Sequence, residues 1–333
     1  MEIGLQTLLL AAGFALLVKG ADWFVDGAAG LAEKFRIPQL IIGLTIVAMG
    51  TSAPEAAVSI SAALKGNADI TIGNVMGSNI LNILIILGLS AVVTPLAVEA
   101  STIRRDLPFL LLATALLFAQ GLDQTIGTAD GALLILLFAA YLICLLVMTK
   151  LRQNADIVRL AESRPKSQPP LPMAGKTSRN TSRSRIQKSW SFLLLLTAAG
   201  LFMIVAGSSV TVEAASSLAR IFGISERFIG LTVVALGTSL PELFTSVTAA
   251  RKGNADIAIG NIVGSNIFNL LFVIGASALV TPVPYGTDFL SDNLISGAAA
   301  LLLLACSLRE RKLLRRHGLL MLCGYTLYFL TLL

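Results

Sequence analysis

GLTIVAMGTSAPEAAVSISAALKGNADITIGNVMGSNILN, residues 43–82, returns 187 residues later as GLTVVALGTSLPELFTSVTAARKGNADIAIGNIVGSNIFN, residues 230–269. The two 40-residue stretches align without a gap and share 27 identities. Each sets a Glu beside a Pro inside an apolar segment: Glu55 with Pro54, Glu242 with Pro241. Self-similarity at a fixed offset marks an internal duplication. A fainter match runs back from residue 42 to residue 20, with 8 of 23 identities, and places Asp26 opposite Glu213.

Composition decides the solvent. Of 333 residues, 55% are hydrophobic and 13% charged, and the mean hydropathy is +0.82. A water-soluble domain carries about 25% charged residues. Apolar runs recur at 107–117, 132–148, 192–206 and 319–333, and a membrane helix needs roughly 20 mainly apolar residues. The expected fold class is therefore an all-α polytopic membrane protein. Residues 5–18 lack a basic leader and a small-residue cleavage site, so they are expected to stay as the first helix. The three cysteines, Cys144, Cys306 and Cys323, have no metal-type spacing. With His317 the only histidine, a histidine-centred catalytic site has no material.

Hydrophobic segmentation predicts ten helices, near 3–32, 38–64, 69–94, 105–121, 127–150, 189–218, 226–250, 256–281, 288–307 and 315–332. This divides the chain into a five-helix repeat at 1–150, a linker at 151–188 and a second five-helix repeat at 189–333. The linker is rich in Ser, Pro, Lys and Arg, cannot bury a core, and is expected to be a flexible loop. The segments following helices 1, 3, 5, 7 and 9 hold 21 of the 25 Lys and Arg residues. Basic loops stay cytoplasmic, so both termini are expected outside and the 151–188 loop inside. The net charge of +6 is thus membrane topology, and no nucleic-acid partner is expected. Because each half holds an odd number of helices, the second half enters from the opposite side, giving two inverted-topology repeats.

The repeated motif has a chemical logic. Pro54 lacks an N–H and crowds the carbonyl four residues back, so the second span is expected to break there, as the seventh should at Pro241. Carbonyls freed around 48–51 and 235–238 need partners, since unsatisfied backbone in lipid costs several kcal/mol. Ala48, Thr51, Ser52 and Glu55 share one helix face, and Asn74, Ser78 and Asn82 form a second polar stripe. The other repeat offers Thr238, Ser239 and Glu242 with Asn261, Ser265 and Asn269. An all-oxygen set suits a hard cation such as calcium, which takes about six to eight oxygen ligands. One carboxylate at mid-bilayer costs about 3 kcal/mol on insertion scales. Two facing carboxylates also repel, so a divalent ion, sodium ions or protons should neutralise the pair.

Plainer roles compete for several residues. Gly73, Gly77, Gly260 and Gly264 suit helix packing, while Asn74, Asn79, Asn261 and Asn266 suit either interhelical bonding or ligation. Asn67, Asp69, Asn254 and Asp256 suit turns and caps. Asp26 and Glu213 suit the membrane interface, and Lys19 and Asp22, three apart, are expected to neutralise each other.

GTSAPE with GNVMGSNILN, and GTSLPE with GNIVGSNIFN, resemble the paired alpha repeats of the cation/calcium antiporter superfamily, most of all prokaryotic sodium/calcium exchangers. The likeness is most specific over 38–95 and 225–282. It implies alternating access, with helices 1 and 6 sliding across a static core. By motif, it implies that Glu55, Glu242 and the carbonyls of Thr51 and Thr238 hold calcium. Sodium would use Ala48, Ser52, Ala235 and Ser239 with Ser78 and Ser265, and Asn82 and Asn269 would line the centre. Some relatives have Asp where this chain has Asn269, and the missing third carboxylate argues against a potassium-cotransporting variant. The resemblance implies no cofactor and no obligatory protein partner; calcium, sodium and the lipid bilayer are the partners expected. The expected activity is calcium export against sodium across a bacterial or archaeal inner membrane. A proton-coupled exchanger on the same scaffold is the alternative. A membrane enzyme with two acidic catalytic residues is the rival from another class, but GxSxG and HExxH are lacking.

Overall fold

Pro54 shapes the second segment as its chemistry demands. The structure, a computed structural model, describes residues 2–162, 189–223 and 235–332. After α1 (Glu2–Phe35), helix α2 (Gln39–Thr51) ends at Ser52, and α3 (Ala53–Leu64) leaves at a bend of 47°. Pro54 stands in the first turn of α3, where its missing N–H costs nothing. The second copy repeats the device: α8 (Ala235–Thr238) breaks at Ser239, and α9 (Leu240–Arg251) starts with Pro241 in its first turn. The two hinge residues match, with φ −84° and ψ 8° at Ser52 and φ −90° and ψ 4° at Ser239. The start of the expected segment 226–250 lies outside the described residues.

The remaining helices among the described residues are α4 (Ile70–Val93), α5 (Thr102–Asp123), α6 (Thr128–Glu162), α7 (Trp190–Ile221), α10 (Ala255–Val280), α11 (Thr287–Leu308) and α12 (Arg315–Leu332). Among the described residues, seven helices are long and apolar enough to cross a membrane, or eight with α2 and α3 counted as one bent span. The chain is a mainly helical, multi-pass membrane protein. One expectation needs correcting: α6 runs to Glu162, well into the stretch read as a loop. Residues 151–162 contain no Gly or Pro to stop the helix, and the first Pro is Pro165.

α4 and α10 form the centre. Their most apolar windows are 78% and 94% buried, against 28–39% for the windows of α1, α5, α6, α7 and α11. Those outer helices expose Leu8, Leu112, Leu136, Leu195, Phe202 and Leu301, the surface expected against lipid. α10 lies close along α2. A Cβ at Gly260 would stand 2.8 Å from the Leu40 carbonyl oxygen, and one at Gly264 would stand 2.7 Å from that of Leu44. α1 and α7 cross just as closely at Gly20 and Gly200, where a Cβ on either would meet the other's carbonyl within 3 Å. Small residues permit such approach where no hydrophobic force drives helices together.

Two short antiparallel pairings fasten the ends. β1 (Leu96–Ala97) pairs with β4 (Lys312–Leu313), and β2 (Thr125–Ile126) pairs with β3 (Val283–Pro284). Leu96 and Val283 are 187 residues apart, as are Thr125 and Lys312, so each strand pairs with the neighbour of its own repeat copy.

Candidate cation-binding site

The two hinges bring the two glutamates together through hydroxyls that cross between repeats. Ser52 Oγ donates to Glu242 Oε1 at 2.6 Å, and Ser239 Oγ donates to Glu55 Oε1 at 3.2 Å. Hinge geometry explains the reach, because a serine at a helix break is free of the helix face. Both glutamates are 0% exposed, as are Ala48, Thr51 and Ser52. Ser78 and Ser239 hydroxyl oxygens lie 3.3 Å apart. Ser265 Oγ stands 3.4 Å from the Ala48 carbonyl oxygen and 3.5 Å from Glu242 Oε1. Thr51 Oγ1 lies 3.0 Å from Asn261 Oδ1 and 3.3 Å from the Ala48 carbonyl oxygen. Thr238 closes α8 and is half-buried, and Ala235 opens it.

Asparagines knit the central helices. Asn79 Nδ2 donates to the Asn266 carbonyl at 3.3 Å, and Asn266 Nδ2 returns a bond to the Asn79 carbonyl at 3.1 Å. Asn82 Nδ2 donates to Asn266 Oδ1 at 3.0 Å, and Asn269 Nδ2 to Asn79 Oδ1 at 3.1 Å. Directly after them both helices widen into a π turn, at Asn82–Leu87 and Asn269–Val273, a local form that frequents functional sites. Asn74 and Asn261 both bond to the neighbouring helix of their own repeat. Asn74 Nδ2 reaches Ser59 Oγ at 3.0 Å and the Glu55 carbonyl at 3.2 Å, and Asn261 Nδ2 reaches Ser246 Oγ at 2.9 Å.

What these bonds leave over is as regular as what they use. Glu55 Oε2, Glu242 Oε2, Asn82 Oδ1 and Asn269 Oδ1 are buried and have no hydrogen-bond partner among the described residues. Buried polar atoms in native proteins almost always have a partner. Here four acceptors, two from each repeat, lack one. All four are oxygens, and two carry carboxylate charge. Hard cations favour such a donor set, whereas soft metals want thiolate or imidazole.

The chain matches the family described as sodium/calcium exchanger protein over residues 5–147 and 192–333. It belongs to that family. The sodium/calcium exchanger MaX1 of Methanosarcina acetivorans is 33% identical over 307 residues, covering 84% of this chain and 85% of that one. Inner membrane protein YrbG of Escherichia coli strain K12 is 38% identical over 308 residues, covering 90% and 88%. A structure of the sodium-calcium exchanger NCX_Mj superposes with a TM-score of 0.81 at 29% identity, covering 99% of this chain and 100% of that one. The activity class is therefore cation/calcium antiport and not enzymatic catalysis.

Two features of this exchanger were missed in its sequence. Ser208 on α7 donates to the Gly237 carbonyl at 2.6 Å, so one carbonyl freed by the break at Pro241 already has a protein partner. Its repeat counterpart is Ala21, so self-comparison gave no hint. Thr245, one turn beyond Glu242, is fully buried with its hydroxyl unpartnered among the described residues. It was hidden because its counterpart is Val58, although its spacing from Glu242 was a signal.

Proposed function

We propose that this exchanger moves calcium against sodium by alternating access, through one site to which both repeats contribute. The supporting observation is the set of four buried, unpartnered oxygens on Glu55, Glu242, Asn82 and Asn269, with each glutamate held by the other repeat's hinge serine. In this reading Glu55, Glu242 and the carbonyls of Thr51 and Thr238 hold calcium. Ala48, Ser52, Ala235, Ser239, Ser78 and Ser265 hold sodium, while Asn82 and Asn269 face the centre. A doubly negative, ion-free site is costly to carry across a low-dielectric core, so return requires a replacement cation.

The proposed architecture is ten spans in two inverted repeats, 1–150 and 189–333, around a cytoplasmic connection at 151–188, with both termini outside. The strand pairings that swap between repeat copies and the matched hinges support it. The repeat motifs occupy 38–95 and 225–282, and calcium export is the proposed direction. Calcium uptake into proteoliposomes, driven separately by sodium, potassium, choline and pH gradients, tests the coupling. The proposal expects uptake with sodium alone. Equal uptake with choline overturns sodium coupling, and uptake driven by pH without sodium selects the proton-coupled reading.

A further inference from the structure

We propose that Asn79 and Asn266 are positioning residues that fix which end of the Asn82 and Asn269 amides faces the cation; this rests on the site reading above. A carboxamide has an acceptor end and a donor end of nearly equal shape, and only the acceptor end suits a cation. The bonds at the crossing of α4 and α10 impose one answer. The carbonyls of Asn79 and Asn266 are acceptors and nothing else, so the side chain facing each must present Nδ2. Asn79 meets the Asn266 carbonyl at 3.3 Å, and Asn266 meets the Asn79 carbonyl at 3.1 Å.

With Nδ2 spent there, each of these side chains offers Oδ1 at its other end. Asn269 meets Asn79 Oδ1 at 3.1 Å and Asn82 meets Asn266 Oδ1 at 3.0 Å, and only their Nδ2 atoms can do so. Their own Oδ1 atoms are thereby directed away from these bonds, and both are left buried and unpartnered among the described residues. Polarity thus passes from a backbone carbonyl, through one amide, to the next. Flipping any single amide would set oxygen against oxygen or N–H against N–H. Asn79 and Asn266 are 0% and 1% exposed, so water does not compete for the bonds. The coupling crosses repeats: Asn79 acts on Asn269, and Asn266 on Asn82.

Calcium-uptake kinetics of the full-length protein in proteoliposomes, normalised to folded protein, test this as a double-mutant cycle. Asn79→Leu alone should raise the apparent KM for calcium about tenfold, with the maximal rate largely kept. In an Asn269→Ala background it should add less than about twofold, while in an Asn82→Ala background it should keep its full effect. Asn79→Ser serves the same cycle if the leucine variant does not fold. A role in helix adhesion alone predicts fewer folded molecules with unchanged KM. Unchanged KM, or equal effects in both backgrounds, overturns the relay. Glu55→Gln separates the two readings: if it still exchanges calcium, the site itself is misassigned. If it is inactive while the cycle shows no coupling, only the relay fails.

Discussion

Gly264→Ala should separate α2 from α10 and disable exchange without replacing any proposed ligand residue. The added Cβ would lie 2.7 Å from the Leu44 carbonyl oxygen, 2.8 Å from Leu44 Cα and 2.8 Å from Ala48 Cβ. Favourable contacts between carbon atoms lie at about 3.5–4.0 Å, so relief requires a shift of about 1 Å. Two of the three neighbours are backbone atoms, which cannot turn aside as a side-chain tip would. Overpacking of a dense interior costs about 1–3 kcal/mol, and here the upper half of that range applies. The displaced residues include Ala48, whose carbonyl oxygen is 3.4 Å from Ser265 Oγ. Misplacing reacting groups by about 1 Å can cost around a hundredfold, and calcium uptake should fall by at least about tenfold on the same geometric ground. The assay is initial-rate uptake beside thermal denaturation in detergent. Gly286→Ala, where an added Cβ meets nothing within 4 Å, is the control. Uptake at the parental rate in Gly264→Ala would refute the reasoning.

Three further outcomes are expected. Asp106 is fully buried and accepts from Arg105 Nε at 2.6 Å, Arg105 Nη2 at 3.1 Å and Tyr141 Oη at 3.1 Å. Asp106→Ala should cost about 1–3 kcal/mol by removing the carboxylate partner of a partly buried guanidinium; a thermal midpoint equal to the parent's contradicts this. Lys252 Nζ lies 2.8 Å from Asp26 Oδ1 and 3.2 Å from Asp22 Oδ1, with side chains 27%, 49% and 41% exposed. Exposed pairs contribute about 0–1 kcal/mol and are screened by salt, so Lys252→Ala should shift the midpoint slightly, and not at all in molar salt. Ser52→Ala removes a 2.6 Å donor to a carboxylate and Ser239→Ala a 3.2 Å one. Ser52→Ala should therefore weaken the sodium dependence of uptake more, and the reverse order would count against the ligand assignment.

The parts of this protein legible in its sequence were those encoded locally or twice. Pro54 and Pro241 announced the hinges because proline removes a donor wherever it sits, and both breaks fell two residues earlier, at Ser52 and Ser239. Repetition exposed Glu55 and Glu242 as a pair. It did not show that Ser52 holds Glu242 and Ser239 holds Glu55, because that exchange exists only once the repeats meet. Asn79 and Asn266 stood undecided between bonding and ligation, since one amide's polarity is set by partners far away in the chain. Contacts between unlike positions of the repeats escaped altogether. Asp22 was expected to pair with Lys19, its neighbour one helical turn away, but pairs with Lys252 across the helix interface, and Lys19 lies over the Trp23 ring. Ser208 was invisible for the same reason, having Ala21 as its counterpart, whereas Thr245, opposite Val58, was signalled only by its spacing from Glu242.

Calcium titration of the purified, sodium-free protein tests the central claim most directly. A single site shared by both repeats predicts one calcium per chain, with binding lost in Glu55→Gln and lost equally in Glu242→Gln. Two calcium ions per chain, or a variant of either glutamate that keeps half the binding, would contradict it.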